Sequence, residues 1–595
     1  MKRNHKSILA LVLALVMLLS VLAGCDTNKP VETKPNETQG NQPAETKPSE
    51  TQAVESKYPA YLNLDGYRPI VKEGETITLK VAAVASGNAE PILQDVWFTK
   101  FIEEVLNVKL EIETIPYGER NDRISLMLNT GDLPDIMLSF GITAAQTLDY
   151  GVDQELLLPL SDYFSEELTP NLLALYEKNP LAMESYTAPN GKVYGLPQLR
   201  GPIKGNAPTK PGGYWTFVST KYLEAAGYES CPTDLEGFID MLRAFKDVGD
   251  KVGVDEVIPY MGDGQTRVIF KNAMGWMTYI GENDSNPYWD IVENKVVAPF
   301  ASDRYEEYVG ILKTLYTEGL IDPDCFTRDR AGIIAWQSAG KAGVCSQDAP
   351  YIFAPETYDE WLCVAPLTSK YNPDGLCLAG TSYGSNSFFN VSADTEYPEL
   401  CLRLLDYMFS AEGILYNSNG PAKGSEDTLG LVEGYTIDEN GSFAYSEVGT
   451  KYDNNSQYTL NNICLSYQNA GDDYYKMEEA YAKAGLPFPG FEKDRSKMGT
   501  SGWSYDMAEL VEGKMVEALP TVYMSLEDTT RYNDLKKALN DYNNQEIAKF
   551  MTGERDMSEF GEFRKEMEAL GLQEFVDLID KYYGDIDPRE IVSFD

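Results

Sequence analysis

Histidine is nearly absent from this chain of 595 residues. The sequence contains one histidine, His5, and it lies in an N-terminal segment that we expect to be removed from the mature protein. Without histidine, the mature chain lacks the usual base that activates a serine or cysteine nucleophile. It also lacks every zinc site that needs an imidazole ligand. Chemistry that uses carboxylates alone, such as glycoside hydrolysis, stays open.

Paired cysteines and an excess of positive charge are also missing. The chain has 8 cysteines, but none forms a C-x-x-C pair and their spacings are irregular. We therefore interpret most of the cysteines after Cys25 as small buried hydrophobic residues and not as a disulfide scaffold. The formal net charge is −43 at pH 7. So acidic a surface is unfavourable for binding nucleic acid or docking onto anionic lipid.

The N-terminus predicts export and a lipid anchor. Basic residues precede an apolar run over 8–19, which is short for a bilayer span and typical of a secretory signal peptide. The sequence LAGC at 22–25 has the form of a bacterial lipobox. We therefore predict a signal peptide over 1–24 and acylation of Cys25, which holds the protein at the outer face of the bacterial cytoplasmic membrane. The alternative is an ordinary signal peptide followed by a chance cysteine.

Residues 26–57 predict a disordered spacer. The segment has no aromatic residue and nearly repeats itself, as ETKPNETQ at 32–39 and ETKPSETQ at 45–52. Such a composition buries too little apolar surface to offset the entropy of ordering. The folded part is therefore expected over 58–595, a length that favours two or more lobes.

The first part of the folded chain alternates between strand and helix patterns. Ile77, Leu79 and Val81 alternate as in a strand, and two further strand patterns separated by helix patterns follow up to Leu138. This order predicts a parallel sheet covered by helices. In such open sheets, ligands bind beyond the carboxyl ends of the strands.

Several short motifs follow one another in a recognisable order. They are GDLPDI at 131–136, LLPLSDYF at 157–164, NGKVYGLP at 190–197, LYTEGLIDPD at 315–324, GKAGV at 340–344, VAPLTS at 364–369 and LLDYMFSAEG at 404–413. In this order and spacing, the chain resembles the lipoprotein branch of extracellular solute-binding protein family 1, the capture subunits of bacterial ABC sugar importers. One departure is SNGPAKGSEDTLG at 418–430, where many relatives carry a Gly-rich GxEG segment.

The resemblance implies a two-lobed α/β fold of the type II periplasmic-binding-protein kind. The ligand is expected in a cleft between the lobes, which are joined by three hinge crossings and close around it. The N-terminal lobe is expected over 76–194 plus 365–415. The C-terminal lobe is expected over 195–364 plus 416–595.

The resemblance also implies a function without catalysis. The protein is expected to capture a carbohydrate, most simply an oligosaccharide, and to deliver it to the membrane subunits of an ABC permease. No cofactor, metal or nucleic acid is expected, and the protein is expected to be a monomer. Two alternatives stay open: a binding protein for another solute such as a peptide, and a lipid-anchored glycoside hydrolase with two carboxylates, although no motif nominates such a pair.

A sugar site needs flat aromatic rings for the apolar face of the sugar and polar side chains for its hydroxyl groups. The chain has 39 tyrosines and 7 tryptophans, which supply rings without locating the site. Trp215 lies just past the first expected crossing, where the resemblance implies residues that face the cleft. The predicted ligand-binding residues are Trp215, Tyr214, Trp97, Trp276, Tyr383, Asp95 and Arg200. For each aromatic residue, the alternative is ordinary core packing.

Overall fold

The computed structural model describes residues 57–85, 92–178, 180–199, 215–262, 266–278, 283–347, 349–379, 383–438, 441–446, 472–488 and 502–591. From Tyr58 onwards the chain forms one compact unit. The predicted signal peptide, Cys25 and all but the last residue of the predicted spacer lie outside the described residues. Within these ranges, none of the helices combines the length and apolar character needed to cross a membrane.

The strands are short and belong to several sheets. In chain order they are β1 (Thr78–Val84), β2 (Lys109–Ile115), β3 (Ile136–Ile142), β4 (Gly195–Leu199), β5 (Trp215–Ser219), β6 (Ile258–Met261), β7 (Trp276–Met277), β8 (Tyr288–Asp290), β9 (Lys295–Val297), β10 (Ala342–Gln347), β11 (Trp361–Cys363), β12 (Cys377–Leu378), β13 (Tyr383–Val391), β14 (Tyr435–Ile437), β15 (Phe443–Tyr445) and β16 (Met515–Val516).

The longer helices lie between these strands and at the end of the chain. In chain order they are α1 (Trp97–Glu104), α2 (Arg120–Thr130), α3 (Pro170–Lys178), α4 (Pro180–Tyr186), α5 (Thr220–Ala226), α6 (Leu235–Phe245), α7 (Thr266–Ala273), α8 (Tyr305–Thr317), α9 (Arg330–Ser338), α10 (Pro398–Met408), α11 (Ala411–Asn419), α12 (Asp472–Lys483), α13 (Gly502–Val511), α14 (Leu526–Thr552), α15 (Phe560–Ala569) and α16 (Leu572–Tyr583).

The first sheet has the strand order β2-β1-β3-β13-β4. Strand β1 is parallel to both β2 and β3, as the alternating strand and helix patterns predict. Strand β13 runs antiparallel to β3 and to β4, so β4 runs in the same direction as β1 and β3. The strands are buried on both faces: Val81 and Ala83 of β1 belong to one hydrophobic core, and Ala82 and Val84 belong to another.

The second sheet has the strand order β11-β5-β10-β6. Strand β5 is antiparallel to β10 and β11, whereas β6 is parallel to β10. Val218 and Val344 face a core that includes residues of α8 and of the C-terminal helices. On the other face, Phe217 and Cys345 pack with residues of α9 and α13. The chain therefore has the two-lobed α/β fold that the sequence predicts, one lobe around each sheet.

The cores divide the chain between the lobes differently from the predicted boundaries. Leu367 and Leu378 belong to the core of the second lobe, although 365–415 is predicted in the first. Tyr435 and Ala480 belong to the core of the first lobe, although 416–595 is predicted in the second. The physical reason is apolar packing between segments far apart in sequence, which local patterns do not specify.

The described residues on either side of each crossing fix where the chain passes between lobes. The first passage lies between Leu199 and Trp215, and the second lies between Ala379 and Tyr383. The third comes after α12, which packs on the first lobe, and before α13, which packs on the second.

A C-terminal segment also touches both lobes. Leu519, Val522 and Met524 pack against the core of the second lobe. Tyr523, between them, packs against the first lobe, and its hydroxyl lies 3.5 Å from the carbonyl oxygen of Ser185. The lobes are therefore held together by this segment in addition to the crossings.

Candidate ligand-binding site

The first lobe has a switch point at the carboxyl ends of β1 and β3. The chain moves from β1 to its neighbour β2 and then returns past β1 to β3, and ligands of open α/β sheets bind in the crevice outside such a reversal. Strand β4 ends at the same edge with Leu199, which pairs with Tyr383 at the start of β13. This edge is called the first-lobe edge.

The second lobe presents a similar edge. Strands β6 and β10 are parallel and end at Met261 and Gln347. Gln347 pairs with Trp215, the first residue of β5, so Trp215 lies at the carboxyl end of the parallel pair. This edge is called the second-lobe edge.

The two edges meet where the chain crosses between the lobes. Ala379, in the second lobe, packs in a small cluster with Trp215 and Cys363. Only three residues separate Ala379 from Tyr383 on the first-lobe edge, so their Cα atoms are at most about 14 Å apart. The structure therefore places Trp215 and the start of β13 at one junction, called the interlobe junction, as the cleft prediction requires.

Trp215 is built as a supported aromatic ring. Its side chain is half-buried, and its ring centroid lies 4.3 Å from that of Trp503, at an interplanar angle of 45°. Trp503 is buried and makes an edge-on contact with Phe217 at 5.6 Å. A ring held by a second ring in this way loses little conformational entropy when a flat apolar face stacks on it.

Two further side chains at the second-lobe edge are not among the residues predicted from the sequence. Gln347 is buried beside Trp215. Tyr351, on the 3₁₀ turn Pro350–Ile352 that follows β10, is 44% exposed. Their signal in the sequence is their place just after GKAGV, at the carboxyl end of an apolar strand.

Trp97 and Trp276 occupy core positions and not platform positions. Trp97 is 2% exposed, packs at 5.6 Å on Tyr416, and donates its indole N–H to the carbonyl oxygen of Asp427 at 2.9 Å. Trp276 is 0% exposed and packs edge-on against Tyr308 at 5.7 Å. Because protein atoms cover both rings, we do not retain them in the proposed site.

The remaining predicted residues have different outcomes. Asp95 is exposed and ends the 3₁₀ turn Leu93–Asp95 before α1, so its role in binding stays a prediction. The backbone of Tyr383 is at the interlobe junction, and its role also stays a prediction. Arg200 and Tyr214 lie outside the described residues.

The described cysteines after Cys25 differ in burial. Cys345, Cys377 and Cys401 are buried, and the others are partly buried. Burial raises the pKa of the Cys377 thiol to about 12, so it is an unreactive neighbour of Trp215. Among the described residues, no group of three or more histidine, cysteine, aspartate and glutamate side chains is placed to hold a metal ion.

The structure has two α/β lobes that are joined by several chain crossings, and the first-lobe edge and the second-lobe edge meet at one junction. This is the architecture of solute-binding proteins that close by a hinge motion. The model of the bacterial extracellular solute-binding protein family matches residues 86–414, just over half of the chain. The chain belongs to this family.

Two bacterial proteins are similar to this chain in sequence over much of its length. The fructooligosaccharide ABC transporter substrate-binding protein FusA of Streptococcus pneumoniae serotype 4 is 22% identical over 483 residues, which cover 78% of this chain and 82% of FusA. Lipoprotein LipO of Bacillus subtilis is 27% identical over 344 residues, which cover 54% of this chain and 62% of LipO.

The solved structures support the fold. FusA in complex with kestose superposes with a TM-score of 0.61 at 18% identity, over 85% of this chain and 98% of that one. An HMO-binding, ABC-transporter-associated solute-binding protein from Bifidobacterium longum infantis gives a TM-score of 0.66 at 18% identity, over 86% and 98%. At these identities, the likeness concerns the fold alone.

Proposed function

We propose that this chain is the carbohydrate-capturing subunit of a bacterial ABC importer, anchored to the outer face of the cytoplasmic membrane. It binds an oligosaccharide between its lobes, closes around it and presents it to the permease. The ligand is bound and released without covalent change.

The observation that carries the proposal is Trp215 on its Trp503 support at the interlobe junction. A half-buried ring with a buried ring 4.3 Å behind it suits the apolar face of a sugar, because stacking there needs no rearrangement. Tyr351, exposed on the turn after β10, is a second ring at the same edge. The named relatives that bind fructooligosaccharide and HMO favour a sugar over other solutes.

Thermal unfolding against a ligand panel tests the proposal. Residues 58–595, which include the compact unit, are melted with kestose, nystose, lacto-N-tetraose, a high-mannose glycan, simple monosaccharides and a peptide mixture. A ligand at 100 times its Kd stabilises the native state by about 2.7 kcal/mol, which a melt resolves. A shift with one glycan class supports capture. Shifts with peptides alone move the protein to the alternative class of solute.

The absence of catalysis is tested on the same samples. Each panel glycan is incubated with the purified protein, and new reducing ends are measured. We expect none, because a binding subunit returns its ligand unchanged. Steady release of reducing ends replaces the proposal with a carboxylate-based glycoside hydrolase.

The anchor is tested at Cys25. The lipobox supports acylation of this thiol, and the name of LipO associates a relative with lipidation. Mass spectrometry of the protein purified from membranes is expected to find acyl chains on an N-terminal Cys25, and Cys25→Ser is expected to shift the protein from the membrane to the medium.

Delivery to a permease is tested in the bacterium that carries the gene. Deleting the gene is expected to abolish uptake of the sugar identified by the melt, and the wild-type gene is expected to restore it. Unchanged uptake argues for a surface sensor that works without a permease.

A further inference from the structure

A short relay of amides ends at the second-lobe edge. The side-chain amide of Gln337, on α9, donates from Nε2 to the carbonyl oxygen of Met261 at 3.1 Å. Its Oε1 accepts a hydrogen bond from Nε2 of Gln347 at 3.1 Å. Gln337 is 2% exposed and Gln347 is 3% exposed, so the relay is built into the lobe and is not a surface feature.

The hydrogen bonds of the relay determine how the side-chain amide of Gln347, its last residue, is oriented. A backbone carbonyl only accepts hydrogen bonds, so Gln337 presents its NH₂ group to Met261 and its oxygen to Gln347. Gln347 must then donate its own NH₂ group inward, which leaves Oε1 as the free end. This oxygen is buried, and no donor in the described part of the chain bonds to it.

A buried acceptor without a donor is uncommon, because its desolvation is costly. Gln347 is the last residue of β10 and pairs with Trp215, so its side chain lies on the same face of the sheet as the Trp215 ring. The unpaired acceptor and the supported ring therefore stand side by side at the interlobe junction.

We propose that Gln347 Oε1 accepts a hydrogen bond from a hydroxyl group of the sugar that stacks on Trp215, and that Gln337 positions it. This inference rests on the proposed function and adds the polar contact that orients the sugar. Because protein covers the oxygen in the structure, the contact requires the groups that cover it to move when the sugar binds.

The test compares Gln347→Met with Ser346→Ala by calorimetric titration of kestose, or of the panel sugar with the largest thermal shift where kestose gives none. Gln347→Met keeps the length of the side chain and removes the acceptor, so we expect the Kd to rise by about tenfold or more. Ser346 is the neighbouring residue but faces the opposite side, where it bonds to Tyr260 at 2.8 Å. Ser346→Ala is therefore expected to lower the melting temperature and to change the Kd by less than about twofold.

Analogues of the sugar make the assignment specific. Each hydroxyl group in turn is replaced by hydrogen, and binding is measured to the wild type and to Gln347→Met. One analogue is expected to bind the wild type more weakly than the parent sugar does. The same analogue is expected to bind Gln347→Met as well as the parent sugar does, because that variant already lacks the hydrogen bond. Gln337→Met, which leaves Gln347 in place but removes its orienting partner, is expected to give a smaller rise in Kd and serves as the readout where Gln347→Met does not fold.

The outcomes separate this inference from the function on which it rests. A wild-type protein that binds no sugar of the panel overturns the proposed function together with this contact. A wild-type protein that binds sugar, with Gln347→Met binding equally well, leaves the function standing and overturns the contact. The contact is also overturned if, for every analogue, the loss of binding free energy from the missing hydroxyl and the loss from Gln347→Met simply add.

Discussion

Trp97 and Trp215 begin elements in the two lobes, yet they have opposite surroundings. Trp97 is covered on every side, and the carbonyl oxygen of Asp427 accepts its N–H group at 2.9 Å. Trp215 is half-buried and has a ring partner at 4.3 Å. The segment that covers Trp97 comes 330 positions later in the chain. A tryptophan at the start of an element is therefore buried or left partly exposed according to what folds over it.

The variant with the largest expected effect is Trp97→Ala, which tests whether Trp97 belongs to the core. Replacing a buried tryptophan leaves a cavity and removes the donor to Asp427, so we expect the free energy of unfolding to fall by about 3–5 kcal/mol. Urea unfolding, followed by circular dichroism, measures the change. Trp97→Phe is the milder control.

The variant that remains folded is then titrated with the panel sugar. An unchanged Kd keeps Trp97 in the core, as its burial indicates. A stable variant that has lost sugar binding returns Trp97 to the site.

Trp215→Ala is expected to change binding more than folding. The ring is half-buried, so its loss costs less stability than the loss of Trp97, whereas removal of the stacking surface raises the Kd by about tenfold. Calorimetric titration with the panel sugar measures this change, and Trp215→Phe is expected to retain most of the affinity.

Trp336→Ala is the matched control for Trp215→Ala. Trp336 is also partly exposed and packs on the same cluster, but its ring is flanked by the cationic groups of Arg328 at 5.1 Å and Lys341 at 5.0 Å. We expect sugar affinity to be unchanged. Equal losses from both tryptophan variants imply a general loosening of the lobe and remove the special role of Trp215.

Sequence patterns predicted the sheet of the first lobe and its ligand edge better than they predicted which tryptophan rings are exposed. The alternation of Ile77, Leu79 and Val81 predicted β1, and the parallel sheet that follows from it predicted where a ligand edge lies. No local pattern distinguishes Trp97 from Trp215, because the cover over Trp97 depends on packing between distant segments. Gln347 was not predicted for a related reason, since its place at the end of an apolar strand marks an edge but does not distinguish a buried amide from a surface one.

The segment that covers Trp97 contains Asp427, and the ion pair of this residue predicts that the stability of the first lobe depends on pH. Burial alone raises the pKa of Asp427, but hydrogen bonds from Arg68 and Tyr416 outweigh it and hold the pKa below its usual value. Arg68 donates to the Asp427 carboxylate at 2.8 Å and 3.0 Å. A carboxyl with a lowered pKa contributes stability above its unfolded pKa and loses it as the pH falls through the folded pKa.

We therefore expect Asp427→Asn to be less stable than the wild type at neutral pH and to approach it in acid. The ion pair is partly exposed, so the difference is expected to be below about 1 kcal/mol. Urea midpoints between about pH 3 and pH 6 measure it. A gap that widens towards acid contradicts the assignment, and sugar binding at neutral pH is expected to be the same for both proteins.

The smallest expected effect is on Cys363, which reports on the junction without a change of sequence. Its thiol is half-buried, packs near Trp215 and lies 3.3 Å from the carbonyl oxygen of Trp503. A sugar stacked on Trp215 and closure of the lobes both restrict access to this sulfur, so alkylation of Cys363 is expected to slow by a small factor when the panel sugar is bound. Peptide mass spectrometry follows each cysteine separately, and Cys325, which packs beside the core of the second lobe, is the internal control. Equal slowing at both cysteines indicates a global stabilisation, whereas slowing at Cys363 alone places the ligand at the junction, because only a group near the occupied site is shielded directly.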